Sequence, residues 1–305
     1  MLSRKNKIIL LKILSMFSVV RGYNVFIVAV AQYLSAIFIL APKMRALTVL
    51  LDFNLFILVL ASSLTIASGY IINNFYDSKK DLINRPNKSR IDRLVSQKTK
   101  LQVYFSINFV VVFLAMLVSW RAVLFFSAYI FLIWFYSHKL KKYPIIGNLT
   151  AAFMAILPFF AILMHYKNFY AQIFAHASFL YLILLIREIV KDLENIQGDI
   201  ANNYQTIPVR FGENFAKNVI LVLTLFTVIP VYFLVEIFEV GYMDIYFYGS
   251  ILLLIMFLLA LFQADKKEHF IKLHFLLKVI ILLGVFSIIL IDPEVLIHGR
   301  NYIVK

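Results

Sequence analysis

The chain has no cysteine, which excludes disulfides, thiolate metal sites, iron–sulfur clusters and cysteine nucleophiles together. Any metal must be held by oxygen or imidazole. Charge is scarce as well. Only 15% of the 305 residues are Asp, Glu, Lys or Arg, while 62% are apolar, against about 45–50% in soluble proteins. With a mean hydropathy of +0.87, a water-soluble fold is excluded. No linker rich in Gly, Ser or Pro, no low-complexity tract and no repeat of solenoid length interrupts the sequence. Residues 1–305 therefore read as one integral membrane domain rather than two soluble ones.

Hydropathy marks nine apolar segments, Ile27–Leu40, Phe56–Ile72, Val103–Ser119, Ala122–Phe135, Leu149–Met164, Gln172–Ile186, Val219–Val235, Ile245–Leu261 and Leu273–Ile291. The expected fold class is an all-α polytopic bundle of nine transmembrane helices. Several segments fall short of the roughly 20 residues a span needs, so their polar flanks should continue the helix at membrane depth or into a cavity. The 30 Lys and Arg against 16 Asp and Glu would suggest nucleic acid in a soluble protein, but their placement argues otherwise. With nine spans, 24 of the basic residues fall on the side of the N-terminus and the even-to-odd loops, and six (Lys43, Arg45, Arg121, Lys167, Arg300 and Lys305) on the other. The N-terminus is then cytoplasmic and the C-terminus outside, the basic excess faces anionic headgroups and solutes, and no nucleic acid partner is expected. Residues 1–20 carry a basic start and an apolar middle, but Lys12 interrupts the middle and no small-residue cleavage site follows. An interfacial amphipathic helix leading into span 1 is expected rather than a signal peptide.

Acidic residues concentrate at the cytoplasmic ends of spans 2 and 6. After span 2, Asn73, Asp77 and Asp81 stand at i, i+4, i+8; after span 6, Glu188, Asp192, Asn195 and Asp199 follow at steps of 4, 3 and 4. At about 100° per residue the second set shares one face of a continuous helix. Such stacking of like charge is destabilising, more so at membrane depth, so a cation should offset it. An all-oxygen ligand set of Asn73, Asp77, Asp81, Glu188, Asp192 and Asp199 suits Mg2+ completed by water and phosphate oxygens. Lys79, Lys80, Arg85, Arg187 and Lys191 beside the acids suggest a polyanion shared between metal and cations, for which diphosphate fits best. One cluster alone could be a solvated loop of paired charges; two with matched position and spacing point to a site.

These residues resemble the UbiA superfamily of intramembrane prenyltransferases over most of the chain. Asn73–Asp81 with Asn84-Arg85-Pro86 looks like its first aspartate-rich motif, N-D-x-x-D-x-x-x-D followed by N-R-P. Arg187–Asp199 with Thr206-Ile207-Pro208 and Phe211-Gly212 looks like its second. Tyr136-Ser137-x-x-Leu140-Lys141-Lys142 with Gly147-Asn148 is similar to its Y-S-x-x-L-K-R…G-N stretch, and Arg21-Gly22-Tyr23-Asn24 to its opening R-P-x-N. The R-E-x-x-K-D form of the second motif is similar to the geranylgeranylglyceryl phosphate prenyltransferases, which build ether lipids. Asn74 and Asn195 stand where the motifs have Asp, and Asn87-Lys88-Ser89-Arg90 replaces R-P-I-P-S-G, departures that bear on metal affinity and acceptor choice.

The expected chemistry is ionisation of an allylic diphosphate, assisted by Mg2+ and catalytic Asp77, Asp81, Asp192 and Asp199. A lipophilic acceptor, best matched by geranylgeranylglyceryl phosphate, would capture the prenyl group. Arg21, Asn24, Asn73, Arg85, Lys141, Lys142, Arg187, Lys191 and Asn195 are candidates for substrate binding. Tyr70, Tyr76, Tyr129 and Tyr136 could face the allylic cation, and His138 could act as a base. The polyprenyl tail, partitioning into lipid at about 0.8 kcal/mol per CH2, explains a membrane location, expected to be a prokaryotic cell membrane. Prenylation of an aromatic acceptor is the alternative within the same chemistry. A cation transporter is the alternative outside it, and it would require acids in mid-span.

Overall fold

The computed structural model describes residues 4–298; expectations placed on residues 1–3, Arg300, Lys305 and the C-terminal end lie outside the described residues. Among the described residues every element is helical. Nine helices are long and apolar enough to cross a membrane: Gly22–Leu40, Phe53–Tyr76, Gln97–Val118, Trp120–Lys142, Ile146–Tyr166, Ala171–Glu194, Glu213–Ile237, Gly241–Gln263 and Lys267–Ile291, hereafter spans 1 to 9. Each overlaps its expected segment. The main difference is length at the ends rich in basic residues, where span 2 reaches Tyr76 rather than Ile72 and span 6 reaches Glu194 rather than Ile186. Backbone groups cannot be left bare in hydrocarbon, so the helical hydrogen bonds continue under the polar side chains and carry them toward the bundle interior.

The helix Arg4–Val20 precedes span 1. Ser15 and Val19 are buried, while Leu11, Ile13, Leu14 and Phe17 are exposed, an apolar outer face suited to lipid. The chain reverses at Arg21, which adopts a left-handed φ of 52°. Gly22 follows because a Cβ there would run into the Phe17 ring.

The spans form a ring. Span 2 packs on spans 1, 3, 4 and 5, span 4 on span 5, and span 5 on span 6; span 6 packs on spans 7 and 9, span 8 on span 9, and span 9 returns to span 1. Ala61 and Ala115, both fully buried, let spans 2 and 3 approach closely. One core lies among spans 6 to 9, around Ile186, Ile220, Phe257 and Leu277; another lies among spans 2 to 4, around Ile71, Val111 and Phe126. Span 5 carries Pro158 in its interior, which cannot donate to the carbonyl of Met154 one turn back. Tyr129 repairs the gap, its hydroxyl donating to Met154 O at 2.9 Å, and Gln32 Nε2 donates to Pro158 O at 2.9 Å. Tyr129, a candidate for facing the cation, is thus occupied by span 5.

Candidate active site

Both acid clusters sit where a span breaks into a short helix, so the second does not lie on the single continuous helix that its spacing predicts. Span 2 stops at Tyr76, Asp77 leaves helical geometry, and Ser78–Asn84 and Pro86–Asp92 follow. Span 6 stops at Glu194, and Asn195 (φ −113°, ψ 12°) interrupts the helix before Ile196–Ala201. The Asn195 amide donates to Lys191 O at 2.6 Å, capping the span. Asp199 reaches the site on the second short helix rather than one turn further along span 6. The two broken ends interlock at Gly198. A Cβ there would overlap the Asn84 amide, so the glycine lets the segment after span 2 lie against that after span 6.

Lysines bridge the acids. Lys141 Nζ, at the end of span 4, donates to Asp77 Oδ1 at 2.7 Å and Asn73 Oδ1 at 3.1 Å. Lys80 pairs with Asp199, whose other oxygen accepts from Thr206 at 3.2 Å. Tyr204 donates to Asp77 Oδ1 at 3.0 Å and places its ring 4.4 Å from Lys80 Nζ. Asn148 Nδ2 donates to Asp192 Oδ2 at 2.7 Å. Asn73, Asp77, Asp192 and Asp199 are thereby gathered around Lys80 and Lys141. Half-buried Tyr136 lies within electrostatic reach of Asp77, Glu188 and Asp192.

The charges respond to burial and neighbours. Burial pushes the Asp77 carboxyl up, but Lys141 and Lys80 with the hydrogen bonds from Lys141 and Tyr204 outweigh it and hold Asp77 below the usual carboxylate range. Asp81 is pushed up, first by burial and then by Asp77, against the pull of Arg85 and Lys88. Asp199 is also raised, because its burial exceeds what Lys80 and Thr206 return. Burial lowers Lys80, yet Asp199 and Asp77 carry it above the ordinary lysine value.

Other expected site residues have other partners. Both Glu188 oxygens are taken, by Arg187 at 3.0 Å and Lys191 at 2.6 Å, which sets Glu188 apart as a holder of cations. Arg85 pairs with Glu194 at 3.0 Å. Arg21 lies over the Tyr70 ring at 5.1 Å, and Asn24 donates to the Tyr70 hydroxyl at 3.3 Å. Lys142 Nζ stands 5.8 Å from the Tyr204 ring. His138 stacks on Trp134 at 5.5 Å and lies tilted against the Tyr76 ring at 5.4 Å. Asn74, one of the departures from the first motif, joins a separate buried network. It donates to Asp92 at 2.9 Å and accepts from Lys100 at 2.8 Å, while Lys88 and Ser18 also reach Asp92.

Sequence reasoning missed Tyr204, Thr206 as an Asp199 donor, and the pairing of His274 with Glu194 across 80 positions at 2.7 Å. His274 stands in span 9 among Lys267, Glu268, His269, Lys272 and Lys278, so nothing in its sequence position marked the pairing. Among the described residues no three His, Asp or Glu converge on a common point, since the lysines stand between the carboxylates. The donor set nevertheless fits a hard divalent cation. Among the described residues no side chain is hydrogen-bonded to the Asp81 carboxylate, Asp192 has a second oxygen with no bonded donor, and the buried Asn195 Oδ1 has no partner. Outward of the acids, an apolar pocket of about 850 Å3, its mouth included, opens among spans 1, 5, 6, 8 and 9, lined by residues such as Ser35, Phe159, Leu180, Phe247 and Ile281.

Residues 29–280 match the model of the UbiA prenyltransferase family. The chain is 31% identical to the digeranylgeranylglyceryl phosphate synthase of Thermococcus gammatolerans, over 77% of this chain and 85% of the relative. It is 29% identical to that of Methanobrevibacter smithii, over 77% and 86%. A solved digeranylgeranylglyceryl phosphate synthase superposes with a TM-score of 0.69 at 18% identity, covering 91% of this chain and 97% of the other. A UbiA homolog from Archaeoglobus fulgidus bound to GPP and Mg2+ superposes with a TM-score of 0.66 at 15% identity, covering 90% and 99%.

Proposed function

Because this chain belongs to the UbiA prenyltransferase family, we propose that it moves a geranylgeranyl group from its diphosphate to the free hydroxyl of a prenylated glyceryl phosphate, at the cytoplasmic face of a prokaryotic cell membrane. The observation that carries this reading is the meeting of two acid-bearing helix breaks around Lys80 and Lys141. Names of the curated relatives support the acceptor, and the 24-to-6 distribution of basic residues supports the orientation.

Asp77, Asp81, Asp192 and Asp199 would hold Mg2+, which when bound neutralises diphosphate charge and stabilises the leaving group. Lys80 and Lys141 already lie among these carboxylates and supply donors for the diphosphate oxygens. The bond between the allylic carbon and its diphosphate oxygen breaks, and the electron pair leaves with the diphosphate. The acceptor hydroxyl oxygen then bonds to that carbon, and its proton passes to the departing diphosphate. Tyr136 and Tyr204 put aromatic faces beside the acids, where positive charge develops. The apolar pocket outward of the acids keeps water away from the cation and accommodates hydrocarbon.

The test is to incubate purified protein with geranylgeranyl diphosphate, Mg2+ and a panel of acceptors, and to identify products by mass. Digeranylgeranylglyceryl phosphate is expected, with no product in excess EDTA. Transfer to an aromatic acceptor in its place would overturn the acceptor assignment, and full turnover in EDTA would overturn the role of the metal.

A further inference from the structure

Span 9 carries Lys278 well inside a hydrophobic helix, one turn outward of His274 and three residues before Ile281. Residues 274, 278, 281, 285 and 288 recur at steps of 4, 3, 4 and 3, so they share a face, and Ile281, Val285 and Ile288 of that face line the apolar pocket. The same continuity holds on span 6, where Ile183 lines the pocket and Arg187 follows one turn further in. Arg21, at the start of span 1, closes the group. Lys278 lies within electrostatic reach of Arg187, Arg21 and Arg85. By helical register these cations follow the pocket's lining residues toward the acids.

This group of cations is compensated only in part, by Glu188, which pairs with the Arg187 guanidinium at 3.0 Å. The nearby acid, Glu194, has both oxygens occupied, one by Arg85 and the other by His274. Among the described residues Lys278 has no hydrogen-bonding or ion-pairing partner, and the buried Nε of Arg187 is unsatisfied. Lys278 stands exposed among like charges that repel it at membrane depth, and the unpaired buried Nε of Arg187 adds to the cost. The diphosphate does not account for them, because its donors, Lys80 and Lys141, stand among the motif carboxylates. A second anionic group is called for, attached to something apolar enough to fill the pocket.

We infer that Lys278, Arg187 and Arg21 form a separate phosphate site that holds the head of the acceptor lipid, with its hydrocarbon chain running outward into the pocket between spans 1 and 9. The inference rests on the reading that the acceptor is a lipid phosphate, and it names the residues that select it over an uncharged acceptor. Holding the phosphate between the pocket and the acids turns the glyceryl hydroxyl toward the allylic carbon. Lys278 contributes a flexible point charge, whereas Arg187 offers its free Nε in a fixed plane.

Binding of geranylgeranylglyceryl phosphate and of the same lipid without its phosphate is to be measured on purified protein with no donor present, for the wild type, Lys278→Met and Lys278→Arg. The wild type should prefer the phosphorylated lipid by about tenfold or more. Lys278→Met should lose most of that preference, and Lys278→Arg should keep it. In turnover, Lys278→Met should raise KM for the acceptor and leave KM for geranylgeranyl diphosphate unchanged. Equal affinity of the wild type for both lipids, or an unaltered preference in Lys278→Met, overturns the inference. Phosphate-selective binding that depends on Lys278, without any transfer product, leaves it standing and overturns the proposed reaction instead.

Discussion

Asp77 and Asp192 come from helix breaks more than a hundred positions apart, yet Lys141 and Lys80 lie within electrostatic reach of Asp77, and Lys80 of Asp192. If the two carboxylates serve one diphosphate, Asp77→Ala and Asp192→Ala should each lower kcat by roughly 10² or more, and the double variant should cost little beyond the worse single one. Additive, mild losses in protein of unchanged thermal stability would argue for independent structural acids. The shifts also set a pH response. Asp81 and Asp199 hold their protons above the usual carboxylate values, so their ionised forms weigh against the fold, and lowering pH through those raised values relieves it. Asp77 is shifted the other way: its contribution is present above the ordinary carboxylate value and is lost as pH falls through its depressed one. Metal-free protein should therefore gain stability as pH falls from neutral toward the raised values of Asp81 and Asp199, and lose it again in stronger acid as Asp77 takes up its proton. Added Mg2+ should raise Tm more at neutral pH, where those carboxylates are ionised; a Tm that falls steadily as pH drops from neutral would contradict the assignment. The acids were legible in the sequence because charge is rare in this chain and their spacing repeats. Tyr204 was not, since a tyrosine among 17 has no spacing that marks it, and it acquires its role by reaching Asp77 from 127 positions away.

At the scale of elements, all nine spans were visible as apolar runs, because a lipid solvent leaves little alternative to a helix. Their ends were less visible. Helical periodicity carries no information on where a helix breaks, and the stops at Asp77 and Asn195 depend on caps and on contact between loops. Gly198 illustrates the point. Gly198→Ala should force Asn84 aside, destabilise the protein by about 1–3 kcal/mol and lower activity by separating the acid pairs. In the Gly198→Ala/Asn84→Ala double variant, removing the obstructing amide should recover much of the stability, a coupling read directly from a double-mutant cycle. Span 5 gives a second case. Tyr129→Phe removes the donor that satisfies Met154 O beside Pro158, and the bared carbonyl should cost about 1–3 kcal/mol with little change in KM for either substrate. A large rise in KM for the prenyl diphosphate would instead return Tyr129 to the substrate site.

For the molecule as a whole, the proposed orientation rests on the distribution of basic residues, and the absence of cysteine makes it simple to measure. Phe169→Cys, between spans 5 and 6, should react with an impermeant thiol reagent from outside, and Glu213→Cys, at the start of span 7, only after the cytoplasmic face is opened. The reverse pattern would invert the bundle. The closed ring has a further consequence. Span 9 seals it against span 1, and span 1 emerges from the ribosome eight spans ahead of span 9. Throughout synthesis of the first eight spans, the wall that should face span 9 must be screened by lipid or by the insertion machinery, and both acid motifs wait in an unfinished vessel. Catalytic competence thus arrives in a single late event, when the last hairpin docks, and a chain stalled before that hairpin would hold every metal-binding carboxylate proposed here and yet have no enclosed chamber in which to generate a carbocation.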